Sequence, residues 1–133
     1  MNTETHVTIT PEHTDILGHL NHVAAVRLLE RARSDWYRAC GLFPVEPERY
    51  GPVVVNIDYD YRRECFEGEA LRIVTRPVAR GTKSFVLEHE VYKPDGTVAV
   101  AGRATSVIMD MQAREIVPVP ECLARHLPPR AQG

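Results

Sequence analysis

Asp15, Gly18, His19, Asn21 and His22 stand close together in the run His13-Thr14-Asp15-Ile16-Leu17-Gly18-His19-Leu20-Asn21-His22. That run leads straight into the best amphipathic helical pattern of the chain. A helix start has unpaired backbone N–H groups and a partial positive charge, so it holds a developing anion. A carboxylate a few residues before it can act on a carbonyl that the helix end polarises. These residue types in this order are therefore suited to acyl chemistry. Plainer roles are open to the same residues. Asp15 is equally suited to capping a helix or closing an Asx-turn. His13, His19 and His22 with Asp15 invite a metal reading, but they carry no ligand signature, and no metal or other cofactor is expected.

The elements that must position these residues can be read from periodicity. Thr5–Thr10 alternates and is rich in β-branched residues, which predicts a short strand closed by Pro11. From Asn21 to about Cys40 the pattern is helical. Ala25, Leu29, Ala32 and Trp36 form one stripe, with Val26 and Leu28 beside it and Arg27, Glu30, Arg31 and Arg38 on the other side. Glu30 and Arg33 read as a surface or interface pair. Asn21 suits the N-cap and Gly41 the C-terminal stop. Leu42–Pro52, with three prolines, reads as a loop or a short helical turn.

The rest reads as antiparallel sheet. Val53, Val55, Ile57, Tyr59 and Tyr61 alternate onto one face. Leu71, Ile73 and Thr75 mark the next strand, Phe85 to Val91 another, and Val98 to Met109 a long one. The turns are Phe66–Glu69, Arg80–Lys83 and the Asp-Gly hairpin Lys93–Gly96. Ile116-Val117-Pro118 is placed to end the sheet. One helix about 28 Å long must bury its stripe, and the sheet is its only partner. The expected fold is α+β, a curved antiparallel sheet around one long central α-helix, and its open edges call for self-association. Residues 1–127 form a single domain and 128–133 a loose tail.

Bulk properties narrow the setting. At 133 residues the chain can bury a core unaided. Lys and Arg total 16 against 18 Asp and Glu, which leaves no basic footprint for nucleic acid. No signal peptide or membrane span is visible, and three scattered cysteines suit a reducing compartment, so a cytoplasmic location is expected.

Asp15-Ile16-Leu17-Gly18-His19-Leu20-Asn21-His22, followed by Arg27-Leu28-Leu29-Glu30-Arg31-Ala32-Arg33, resembles the acyl-CoA thioesterases of the hotdog fold, and most of all the 4-hydroxybenzoyl-CoA thioesterase branch. Gly81-Thr82-Lys83-Ser84-Phe85, Asp95-Gly96 and Pro118-Val119-Pro120 resemble later landmarks of that family. The resemblance implies hydrolysis of an acyl-CoA or acyl-carrier-protein thioester, with Asp15 as nucleophile or general base. It implies that Gly18 bends the chain into the helix, that the His22 amide polarises the thioester oxygen, and that Asn21 holds water or the thioester. Two positions depart from the family pattern. His22 replaces the motif's second asparagine, which leaves a backbone donor intact. Ala25 replaces an aromatic ring, which reshapes the acyl pocket.

Coenzyme A carries phosphates, so a basic rim is expected, and Arg80, Thr82, Lys83 and Ser84, together with His19, are its candidates. Arg62, Arg63, Arg125 and Arg130 are further ones. A homodimer or homotetramer is expected. A hotdog-fold protein that binds acyl thioesters without cleaving them is the alternative, and a dehydratase of the same fold is a third reading whose pattern is not found. Ala-, Arg- and Pro-rich usage is compatible with a high-GC bacterial source.

Overall fold

The computed structural model describes residues 1–42 and 49–129. Strand β1 (Thr3–Thr8) leads through a single 3-10 turn to helix α1 (His22–Cys40). Four strands follow, β2 (Tyr50–Tyr61), β3 (Ala70–Arg80), β4 (Ser84–Tyr92) and β5 (Val98–Asp110). A short β6 (Glu115–Val117) and a four-residue helix α2 (Glu121–Ala124) are the last elements among the described residues. The strands form one antiparallel sheet in the order β1-β3-β4-β5-β2, with β6 on β5. The expected α+β arrangement is observed, with one long helix packed on one face of the sheet.

The helical stripe is buried as its spacing predicts: Ala25, Leu29, Ala32 and Trp36 are closed off from solvent. Leu29, Ala32 and Trp36 join two apolar clusters. One surrounds Leu29 with Ile9, Leu71, Ile73, Val91 and Val100. The other surrounds Trp36 with Tyr37, Phe85, Leu87, Ile108 and Leu123. Polar side chains lie between them. On β4, His89 stands between Leu87 and Val91 and is paired with the Thr75 hydroxyl at 2.9 Å. On α1, Arg33 is only 3 % exposed and donates to the Tyr59 hydroxyl at 2.8 Å. Of the expected surface or interface pair of Glu30 and Arg33, the surface reading is therefore corrected. The helix rotation carries Arg33 inward, where Tyr59 supplies an acceptor.

Several element limits differ from those read in the sequence. β1 is Thr3–Thr8 rather than Thr5–Thr10, and β2 begins at Tyr50 rather than Val53. Pro52 is tolerated inside β2 because that strand is an edge, bonded to β5 alone. A bulge between Val54 and Asn56 reverses the alternation. Val53 then pairs with Val107, while Ile57, Tyr59 and Tyr61 pair with Ala104, Gly102 and Val100, so Val53 faces the opposite side of the sheet from those three. The loop expected at Leu42–Pro52 lies largely in residues 43–48, outside the described residues. The tail is held at its start, because the Arg80 amide donates to the Pro128 carbonyl at 2.9 Å.

Candidate functional site

The polar run before α1 folds into a compact turn and then the helix cap. The Gly18 amide donates to the Asp15 carbonyl at 2.9 Å, and the Asp15 amide donates to the His19 carbonyl at 3.1 Å. Gly18 has φ +82°, a left-handed conformation that a side chain opposes even though a Cβ there would meet nothing. The turn is fastened to the segment after β2 by the Leu20 amide, which donates to the Cys65 carbonyl at 2.7 Å. His19 also pairs with Phe66 through a single β-bridge.

Asn21 is the N-cap, and its side-chain oxygen accepts from the Ala24 amide at 2.8 Å. Asp15 is therefore not the cap. Its Oδ1 accepts from the Leu17 amide at 2.9 Å, the Asx-turn that its position allowed. Its Oδ2 lies 4.0 Å from His19 Nδ1. Among the described residues no acceptor meets the His22 and Val23 amides, the first two of the helix. A cavity of about 340 Å³ opens here, lined by Asp15, His19, Asn21, His22 and Ala25 together with Tyr61, Arg63 and Glu64. On the other side of the helix start a wider cleft of about 800 Å³ is lined by Asp15, His22, Arg27 and Leu28. Asp15, Asn21 and His22 thus line both openings, and Val23 lines the wider one. That combination can deprotonate or attack and can hold an oxyanion.

Asp15, Gly18, His19, Asn21 and His22 are brought together, whereas Arg80, Thr82, Lys83 and Ser84 are not. The turn holding those four follows β3, whose opposite end, at Ala70, lies beside the Asp15 region. Eleven extended residues put the two sites roughly 35 Å apart along one protomer. That distant turn is closed by the Gly81 amide donating to the Ser84 carbonyl at 2.8 Å. The Val119 amide donates to the Thr82 carbonyl at 3.0 Å. Of the further basic candidates, Arg63 lines the Asp15 cavity. Arg62 sits 4.0 Å from Asp60, and Arg130 lies outside the described residues.

Glu64 and Tyr61 join this cavity without any sign in the sequence. Nothing local marks Glu64: it follows a strand far along the chain and reaches the site only because β2 ends there. The neighbouring Cys65 is buried, and burial pushes its thiol pKa above the ordinary value. Among the described residues no three metal-ligating side chains are grouped to hold an ion, and no helix is long and apolar enough to cross a membrane.

Comparison with known proteins bears on the family and the fold. Residues 9–127 match the thioesterase-like superfamily. The long-chain acyl-CoA thioesterase FadM of Escherichia coli K12 is 26 % identical over 114 residues, covering 84 % of this chain and 86 % of FadM. The PA2801 protein of Pseudomonas aeruginosa superposes with a TM-score of 0.84 at 23 % identity, over 92 % of this chain and 95 % of its own. SAV2348 of Staphylococcus aureus, solved in complex with CoA, superposes with a TM-score of 0.86 at 15 % identity, over 100 % and 90 % of the two chains. Superpositions at these identities speak for the hotdog fold.

Proposed function

Because the chain belongs to the thioesterase-like superfamily and is similar to the long-chain acyl-CoA thioesterase FadM, we propose that it hydrolyses an acyl-CoA thioester and that Asp15 acts on the thioester carbon or on its attacking water. The thioester oxygen would rest against the free amides of His22 and Val23. The observation that carries this reading is the division of labour in one carboxylate: Oδ1 is spent on the Leu17 amide, while Oδ2 remains free at a cavity that the helix start also lines. The Asx-turn fixes the carboxylate's direction, so the free oxygen needs no reorganisation before reaction. An oxyanion donor of this type contributes about 2.7–4 kcal/mol. Gly18 shapes the turn, and the Asn21 side-chain NH2 is the group left to hold water or the thioester. Ala25 lines the same cavity and leaves room for the acyl group.

A second copy of the chain completes this reading. β2 is an open edge, and Val54, Val55 and Ile57 on it are exposed. Ile16 and Leu17 of the Asp15 turn are exposed as well, as is Phe66 beside them. Antiparallel pairing of two β2 edges would turn the partner's Arg80–Ser84 end toward the Asp15 end of the first protomer. The basic turn and His19 would then serve one CoA from two chains. Light scattering is expected to return a mass of at least twice 15.0 kDa; a monomer would remove this arrangement.

The deciding experiment is thiol release from aromatic, short-chain and long-chain acyl-CoAs by the native chain and by Asp15→Asn. The native chain should turn over at least one ester, and the variant should lose roughly 10²–10⁴-fold. Equal turnover by both would overturn the role of Asp15. Tight binding without release by the native chain would instead favour a binding protein, and the panel would then be repeated with acyl-carrier-protein esters. The site holds no feature that calls for a membrane or nucleic acid, and a cytoplasmic setting suits its proposed substrates.

A further inference from the structure

Two cavities lie along the groove between α1 and the edge strand β2, and no residue lines both. The first is the cavity of about 340 Å³ at the Asp15 end, which meets α1 at Ala25, β2 at Tyr61 and β5 at Val100. The second holds about 480 Å³ and is lined on α1 by Glu30, Arg33 and Tyr37 and on β2 by Pro52, Val53 and Val54. Helix and strand run in opposite senses along the groove. On α1 Arg33 lies about 12 Å beyond Ala25, and on β2 the same direction leads from Tyr61 back to Val53. Between the two cavities Arg33 donates to the Tyr59 hydroxyl at 2.8 Å and ties helix to strand. Tyr59 and Tyr61 are two residues apart and face the same side of the sheet. The Tyr59 ring is also seated from below and from the side. It stands edge-on to His89, with 6.3 Å between ring centroids. Next to it β5 carries Gly102, where a Cβ would come within 2.8 Å of the ring. Arg33 is almost wholly buried, and what it meets is a neutral hydroxyl rather than a carboxylate. Well-packed apolar side chains fill such a place at lower cost, so stability alone does not account for the bridge.

Resting on the reading of Asp15 above, we propose that Tyr59, with Arg33 as its positioning residue, ends the acyl cavity and selects compact acyl groups, short-chain or aromatic, over long ones. An acyl group anchored by its thioester at the Asp15 end enters the first cavity. At about 340 Å³ that cavity is at the small end of ligand sites, which run from about 300 to 1,000 Å³. A long chain needs the second cavity as well, and the bridge stands in its path. The second cavity offers Pro52, Val53 and Val54 as apolar wall, so it suits a chain once it is opened. Removing the Tyr59 ring would join the two and more than double the room. A methylene that finds apolar room is worth roughly tenfold or more in kcat/KM, so the ring is enough to set a preference.

The test compares native protein, Tyr59→Ala, Tyr59→Phe and Arg33→Met in two assays. One is kcat/KM over saturated acyl-CoAs of increasing length and benzoyl-CoA. The other is calorimetric affinity for S-alkyl-CoA thioethers of the same lengths, which cannot be hydrolysed. Native protein is expected to favour short chains and benzoyl over long chains by at least about tenfold. Tyr59→Ala should raise the long-to-short ratio by about tenfold or more in both assays. Tyr59→Phe and Arg33→Met free the ring without removing it, so each should shift the ratio the same way by a smaller factor. A purely structural role for Arg33 would lower the melting temperature and leave the ratio at its native value, and that result would overturn its part. A native preference for long chains, or an unchanged ratio in folded Tyr59→Ala, would overturn the whole; the second result would also follow if a partner chain fills the second cavity. No turnover of any acyl-CoA by native protein, or equal turnover by Asp15→Asn, would instead count against the Asp15 reading, and the thioether affinities would still judge the ring. Melting curves check folding, and Tyr59→Leu is read the same way if the Ala variant does not fold.

Discussion

The two ends of α1 are built for opposite purposes. At the C-terminal end Gly41 adopts φ +88°, and its amide donates to the Arg38 carbonyl at 2.9 Å while the Leu42 amide donates to the Tyr37 carbonyl at 3.1 Å. The Tyr37 and Arg38 carbonyls, two of the last four, are thereby satisfied. Trp36, Phe85, Leu87 and Leu123 are fully buried beneath that end, and the Trp36 indole N–H donates to the Met1 carbonyl at 2.9 Å. At the N-terminal end a single cap bond from Asn21 leaves the first two amides open, and the residues before them are half-exposed or exposed. One end is closed and apolar, the other open and polar, although the same helix supplies both. The difference shows where each property resides: the closed end holds the fold, and the open end keeps donors and a carboxylate available to substrate.

Substitutions at the two ends should therefore separate stability from turnover. The largest effect is expected from Trp36→Ala, which removes the biggest buried side chain of the closed end. It should cost about 3–5 kcal/mol in denaturant unfolding, while folded material retains the chemistry of the Asp15 end. Asp15→Asn should do the reverse, abolishing most turnover with little change in the unfolding midpoint. If both variants lost stability and turnover alike, the two ends would be one cooperative unit and the distinction would fail.

The polar belt between the two apolar clusters provides a smaller, pH-dependent effect. Burial, helped by the Arg33 guanidinium, lowers the His89 pKa from 6.5 to about 3. The unfolded chain therefore binds a proton between those values that the folded chain does not. Stability from this group is complete above pH 6.5 and is lost as pH falls toward 3. At pH 5 the loss is about 2 kcal/mol. Urea midpoints measured from pH 7.5 to 4.5 should fall accordingly, and His89→Gln should flatten that part of the curve. An unchanged slope in the variant would assign the acid sensitivity elsewhere.

Much of this is legible in the sequence. The helix, its buried stripe, the Asn21 cap, the Gly41 stop and the Asp-Gly hairpin were readable because each depends on local periodicity or on one residue's backbone preference. The Asp15-to-His22 group was readable for the same reason, since one short turn carries it. Arg33 was misjudged because charge spoke louder than helix rotation. Val53 was misjudged because a bulge leaves no sign in an alternating run. The Arg80–Ser84 turn was grouped with Asp15 by chemistry, while strand β3 holds them apart within a protomer.

The sequence by itself determined the helix, the strands and the turn that joins a carboxylate to a helix start, because those depend on neighbours in the chain. Tertiary structure alone decided what faces that turn. Tyr61, Arg63 and Glu64 come to Asp15 and His19 only because β2 runs antiparallel to β5 and ends beside the helix start. Strand order also leaves the β2 edge open and places the basic turn at the far end of the sheet. No local pattern encodes such meetings, since they arise from which strands pair and where each one stops.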